Sequence, residues 1–298
     1  MVRTISHNCL TLVSGFILTL SLLALIFNHF HSHYLGNNYF PDNMLLLISI
    51  LIVFNLGLRI YYGPKTEGSR KGMELVFFVL IMSVVAIATI AVQFTPFPPI
   101  DHHILQWEHS LHIDMPALML WTQQHPYFKY VLQCIYDSLP YQMSILPLLL
   151  IAAGKFSVLR DYYFLLLTTV LWGFLFYYFF PTTAPASVIL SPLFTPEQIA
   201  TGSKFLEIHN HLIPSTREGG LIALPSFHVI WALLCVYLLK DWWLPCLMLL
   251  VVNLFLIASC VLLGWHYVID VVGGLVILFM GWCLLNYCKK LNKNPTTI

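Results

Sequence analysis

Two short stretches hold the residues whose types and spacing suit chemistry. "ALPSFHV" (223–229) sets Ser226 and His228 just behind Pro225, and "GWHYVID" (264–270) sets His266 and Asp270 four residues apart. Each opens a long apolar run, where ionisable groups are costly and function is the default explanation. A spacing of four puts His266 and Asp270 on one helical face, one turn apart. The carboxylate can then accept the imidazole N–H, fix its tautomer and stabilise the imidazolium. Pro225 suits the first helical position, where its missing N–H costs nothing. That placement puts Ser226 and His228 in the first turn, where free amides and the helix dipole favour an anion. Two histidines at two helix starts, one backed by a carboxylate, suit an anionic substrate met by a nucleophile and a proton donor. The plainer readings are an interfacial histidine at 228 and a structural hydrogen bond between 266 and 270.

The elements that must position these residues are membrane helices. The chain is 59% hydrophobic and 9% charged, whereas a soluble domain carries about 25% charge. Too few charges remain to coat a water-soluble surface. The net charge of +1 gives no electrostatic case for nucleic acid. Apolar runs near the ~20 residues that cross a bilayer fall at 10–27, 43–62, 73–92, 131–153, 162–180, 221–239, 243–263 and 266–285. The expected fold is therefore an all-α polytopic bundle of about eight helices. The first run, following Arg3, has the alternative of a cleaved signal peptide; no small-x-small site follows it, so a retained helix is expected.

Lysine and arginine alternate between loops. Arg59 at the end of the second run and Lys65, Arg70 and Lys71 after it share one loop region, Lys155 and Arg160 follow the fourth, Lys240 the sixth, and Lys289, Lys290 and Lys293 the last. This predicts cytoplasmic termini and puts "FFPTTAP" (179–185), "ALPSFHV" and "GWHYVID" together on the opposite face. Lys204 and Arg217 are cations on that outer side. Residues 93–130 mix apolar and polar residues at helical spacing and read as an interfacial helix, with Trp107 and Trp121 at a suitable depth.

Other signals are weaker. The histidines of "HFHSH" (29–33) and "HHILQWEHSLH" (102–112) define no closed ligand set, so no metal and no cofactor are expected. The seven cysteines, among them Cys235, Cys246 and Cys283, read as buried small hydrophobes. Asp114 and Asp137 read as caps or interfacial contacts.

The spacing of "PSFH" and of Ser259, His266 and Asp270 resembles the type 2 phosphatidic acid phosphatase superfamily, whose second and third motifs read P-S-G-H and S-R-x5-H-x3-D. The "HYxxDVxxG" form, here His266, Tyr267, Asp270, Val271 and Gly274, is similar to the branch related to inositol phosphorylceramide synthase, as are "FFPTTAP" and "HIDMPALMLWTQQHP". The resemblance covers roughly residues 100–285 and implies a six-helix catalytic core. It implies that His266 attacks phosphorus, Asp270 orients it, His228 serves as acid and then base, and Ser226 holds phosphate oxygens. Cys260 stands where the family has the third-motif arginine, and nothing matches the K-x6-R-P first motif. Lys204 and Arg217 are then the phosphate-binding candidates, and a singly charged diester needs fewer cations than a monoester.

The resulting expectation is a membrane lipid phosphatase or phosphotransferase working through a phosphohistidine on the non-cytoplasmic face. Residues 1–92 would form N-terminal membrane helices and 93–298 the catalytic domain. The expected partners are a lipid phosphate or phosphodiester substrate and the membrane itself. The alternatives are a transporter that relays protons through its outer His and Asp, and a catalytically inactive phospholipid-binding relative.

Overall fold

A computed structural model describes residues 7–33, 37–40 and 42–291. Arg3 and Lys293 of the charge argument lie outside them. In chain order the helices are α1 (His7–Ser32), α2 (Met44–Tyr62), α3 (Glu67–Ala91), α4 (Asp101–Ser110), α5 (Met115–Gln123), α6 (Pro126–Asp137), α7 (Leu139–Ala152), α8 (Phe156–Phe179), α9 (Pro196–His209), α10 (Phe227–Leu238), α11 (Trp243–Leu262) and α12 (Val268–Leu291). Among the described residues there is no strand. Six helices, α1, α2, α3, α8, α11 and α12, are long and apolar enough to cross a membrane, so the chain is an integral, multi-pass membrane protein.

The two remaining expected spans take other forms. The run at 131–153 is a pair, α6 and α7, bent by 44°. The break falls at Ser138, just ahead of Pro140 in the first turn of α7, where a ring without an N–H is tolerated. The run at 221–239 yields only the 12 residues of α10, about 18 Å of helix. Pro225 does not occupy its first helical position: Ser226 is the N-cap and Phe227 begins the helix. The interfacial segment is likewise not one helix. Asp114 caps α5 by accepting from Ala117 N at 3.1 Å, with a proline at the start of α5 and another at the start of α6. His112, at φ 60°, turns the chain between α4 and α5.

Helix α8 is the centre of the bundle: 67% of its span window is buried, against 6% for α2. The main hydrophobic cluster joins Leu10 and Ile81 to Leu166, Ile230 and Leu285, with smaller ones around Ile104, Leu224 and Tyr267 and around Met115, Met119 and Phe194. At one end of the bundle the basic residues gather. Lys155 pairs with Asp241 (3.3 Å), and Arg160 with the buried Glu74 (3.7 Å). Buried Asp161 accepts from Lys240 (3.2 Å), Lys289 (2.5 Å) and Tyr237 (2.8 Å), tying α8 to α10 and α12. The candidate site lies at the other end, where α8 finishes and α10 and α12 begin.

Asp161→Ala should leave two lysines without their carboxylate. Because those lysines keep 31% and 20% side-chain exposure and can regain water, we expect a loss of about 2 kcal/mol rather than the larger cost of a fully buried pair. Unfolding of the detergent-solubilised protein measures it; an unchanged midpoint would show that the clamp contributes nothing.

Candidate active site

The first-turn ends of α10 and α12 meet directly. Ser226 N–H donates to the Asp270 carbonyl (3.0 Å). Gly274 allows this approach, since a Cβ there would lie 2.7 Å from the Ser226 carbonyl oxygen. His266 sits in the turn just before α12, after Gly264, whose φ of +84° suits glycine.

The His266 ring is 4% exposed and Asp270 is fully buried. Imidazole Nδ1 faces two acceptors, the Ala223 carbonyl at 3.1 Å and Asp270 Oδ2 at 3.3 Å. It therefore carries the proton, which leaves Nε2 with its lone pair. Nε2 in turn receives a hydrogen bond from His228 Nδ1 at 3.2 Å. Asp270 Oδ2 also accepts from Tyr267 N at 2.9 Å, so its carboxylate is held by the helix start that it caps. The plane of His228 is set by a ring stack: Tyr136 lies 4.6 Å from it at 20°, and Trp265 lies 5.4 Å from Tyr136 at 8°.

Both imidazoles border a cavity of about 640 Å³. Its wall includes Gln133, Asp137, Glu197 and Glu218, and no lysine or arginine. A smaller apolar cavity of about 210 Å³ lies between α1, α3 and α8, away from the histidines.

Of the expected site residues, His228, His266 and Asp270 come together. Ser226 is fully buried next to them but does not line the cavity. Lys204 is buried, and its Nζ donates to the carbonyls of Glu218 (2.9 Å) and Gly219 (3.2 Å), holding the loop over the cavity. Burial brings its pKa down to about 8. Arg217 lies on that same loop, exposed and outside the cavity wall. A further cation, Lys129 of α6, borders a small neighbouring cavity beside Gln133 and Trp265; in the sequence it stands at the edge of an apolar run with nothing to show its direction. Among the described residues no group of three or more His, Cys, Asp or Glu side chains could hold a metal ion.

A family model for the PAP2 superfamily matches residues 102–284, more than half of the chain and a stretch that includes both histidines and Asp270. The chain belongs to the PAP2 superfamily. It matches none of the curated proteins and none of the solved structures with which it was compared. The superfamily generally comprises phosphatases and phosphotransferases, which supports a membrane enzyme of phosphatase type.

Several supports of this PAP2 site are not among the motif residues. Asp101, at the start of α4, accepts from Thr183 N (2.8 Å) and Thr183 Oγ1 (3.1 Å). Thr182 Oγ1 next door accepts from Leu224 N (2.8 Å), which seats the Ala223 carbonyl against His266. The signal was present in the sequence: Asp101, Ile104 and Glu108, spaced for one helical face, are all buried.

Burial raises the Asp101 carboxyl to about 6, against the opposing pull of the Thr183 amide and with help from the Asp270 charge. A carboxyl raised above its unfolded value favours the folded state below about pH 4 and loses that contribution as pH rises through about 6. Asp101→Asn cannot ionise. Its thermal midpoint in detergent should therefore gain on that of the wild type between about pH 4 and about pH 7. Parallel curves would remove Asp101 as the titrating group.

Proposed function

We propose that this PAP2 member transfers a phosphoryl-bearing group from a lipid phosphodiester by double displacement through His266. The observation that carries the reading is the line Asp270 and Ala223 to His266 to His228, ending at the floor of an open cavity. His266 Nε2 attacks phosphorus and the bond to the leaving alkoxide breaks. His228, doubly protonated when an anion binds beside it, gives that alkoxide a proton. The neutral imidazole then takes the proton of an acceptor hydroxyl, whose oxygen attacks the phosphohistidine and releases His266. Water as acceptor gives hydrolysis; a lipid or polyol hydroxyl gives transfer.

The cavity wall supports a singly charged diester over a dianionic monoester, because it holds carboxylates and no lysine or arginine. First-turn amides of α10 are the anion donors in this reading, with Ser226 shaping that turn and Lys204 holding the loop over the cavity; Arg217, outside the cavity wall, is given no contact with the phosphate. The "HYxxDVxxG" form supports placement near the inositol phosphorylceramide synthase branch. We read residues 93–298 as the catalytic unit and 1–92 as additional membrane helices. The basic end around Lys155, Arg160, Lys240 and Lys289 supports a cytoplasmic position for that end, and so a non-cytoplasmic position for the histidines.

His266→Ala should lower turnover by several orders of magnitude and abolish acid-labile phosphorus on the protein after an early quench. His228→Ala should cost roughly 100- to 10,000-fold on alkyl esters, and far less on p-nitrophenyl esters, whose leaving group needs no proton. Label that persists without His266, or equal losses on both ester types, would overturn these roles. Wild-type protein that binds phospholipid without turnover would be a non-catalytic relative.

Orientation is tested separately. Ser203, exposed on α9, replaced by cysteine in a background lacking the exposed Cys134 and Cys283, should react with an impermeant thiol reagent on intact cells. Reaction only after lysis would reverse the topology.

A further inference from the structure

Helix α4 is short, lies at the site end of the bundle, and presents Trp107 outward at 54% exposure, with Leu111 just past its end at 66%. Its other face does something different. Glu108 is 1% exposed, an expensive place for a carboxylate unless it is used. Its Oε1 accepts from Ile269 N at 3.2 Å. Ile269 is the second residue of α12, and the first amides of a helix have no partner within it. The amide just before α12, Tyr267 N, is taken by Asp270 Oδ2 (2.9 Å). The start of α12 is thus capped by two carboxylates, one of its own and one reaching over from α4. The capped turn is the one that aims His266.

We propose that Glu108 is a positioning residue for the reaction: by capping α12 from the interfacial helix, it holds the Tyr267–Asp270 turn in the register that points His266 Nε2 at His228. Three features support it. The cap is borrowed from 161 residues away in sequence, where a local serine or aspartate at the helix start would serve stability alone. Glu108 Oε2 is buried with no hydrogen-bond partner, a desolvation cost that accompanies the contact of Oε1 with the start of α12. The remaining wall of the His266 niche, the Ala223 carbonyl, is held from α4 as well, through Asp101 and the Thr182–Thr183 turn. Both sides of the histidine are therefore anchored to one surface helix. This inference rests on the phosphoryl-transfer role of His266.

The test compares Glu108→Gln, which keeps an acceptor oxygen, with Glu108→Met, which keeps the volume and removes the acceptor. The Met variant should lose about 10- to 100-fold in kcat with KM little changed, as expected for a supporting contact that misplaces a reacting group. The Gln variant should stay close to wild type. If the Met variant does not fold, Glu108→Asp, which withdraws the carboxylate by one methylene, should show the same loss in kcat. A second readout needs no turnover: acylation of His266 by diethyl pyrocarbonate, followed by mass spectrometry. It should be faster in the Met or Asp variant, where Nε2 leaves the His228 contact, and unchanged in the Gln variant. A folded Met variant with wild-type kcat and wild-type acylation would overturn the proposal, as would a Gln variant as impaired as the Met variant. Wild-type protein without phosphoryl transfer would sink the reaction assigned to His266, while the acylation arm would still report whether Glu108 aims it.

Discussion

The site depends on one demand: an imidazole and a carboxylate buried among apolar helices must find hydrogen-bond partners inside the protein, and both ring nitrogens and Asp270 Oδ2 find them while Asp270 Oδ1 does not. His266 and Asp270 are 4% and 0% exposed. Each contact that meets this demand also fixes a direction. The Ala223 carbonyl and Asp270 together place the proton on Nδ1, His228 takes Nε2, and the Tyr267 amide holds the carboxylate that backs the ring. The same hydrogen bonds that make burial tolerable select the tautomer and aim the lone pair.

That demand shapes the surrounding fold. The Ala223 carbonyl reaches His266 because α10 starts late, after Pro225, leaving 223–226 outside the helix and against the start of α12. The two segments stay together because Gly274 lets backbone touch backbone, and because Ser226 N finds the Asp270 carbonyl. A full-length tenth helix would have covered this gap. Its 12 residues instead leave room above His228 for the cavity, roofed by the 218–220 loop that Lys204 holds. The clamp of Asp161 with Lys240 and Lys289 secures the far ends of the same helices, so α10 and α12 are tied at both ends.

Charge is distributed unequally between the two ends. Lysines and arginines crowd the end around Asp161, while the cavity beside the histidines has a wall with carboxylates and no lysine or arginine. This distribution supports the proposed preference for a singly charged diester, with helix amides rather than cations as the proposed donors. Cys260, buried in α11 where a family arginine would stand, is consistent with the same economy of charge.

The sequence by itself determined the class of fold and singled out His228, His266 and Asp270, which the fold brings together. Long apolar runs, sparse charge and alternating lysine and arginine define membrane helices, because burial in lipid depends on composition along one segment. The spacing of four between His266 and Asp270 defines their pairing, because a turn leading into the first residues of a helix brings such positions within reach. The tertiary structure decided what depends on contacts between distant segments. It broke 93–130 into α4 and α5, bent the 131–153 run and cut the 221–239 run to α10. It turned Lys204 toward two carbonyls, made the Ala223 carbonyl the nearer acceptor of His266, and brought Glu108 to cap α12. Prolines and the Asp114 cap mark the breaks locally, but the contacts are not written in local hydropathy or spacing, because a backbone carbonyl or a free helix amide is the same in every residue. Only the packing of one helix against another says which of them will be used.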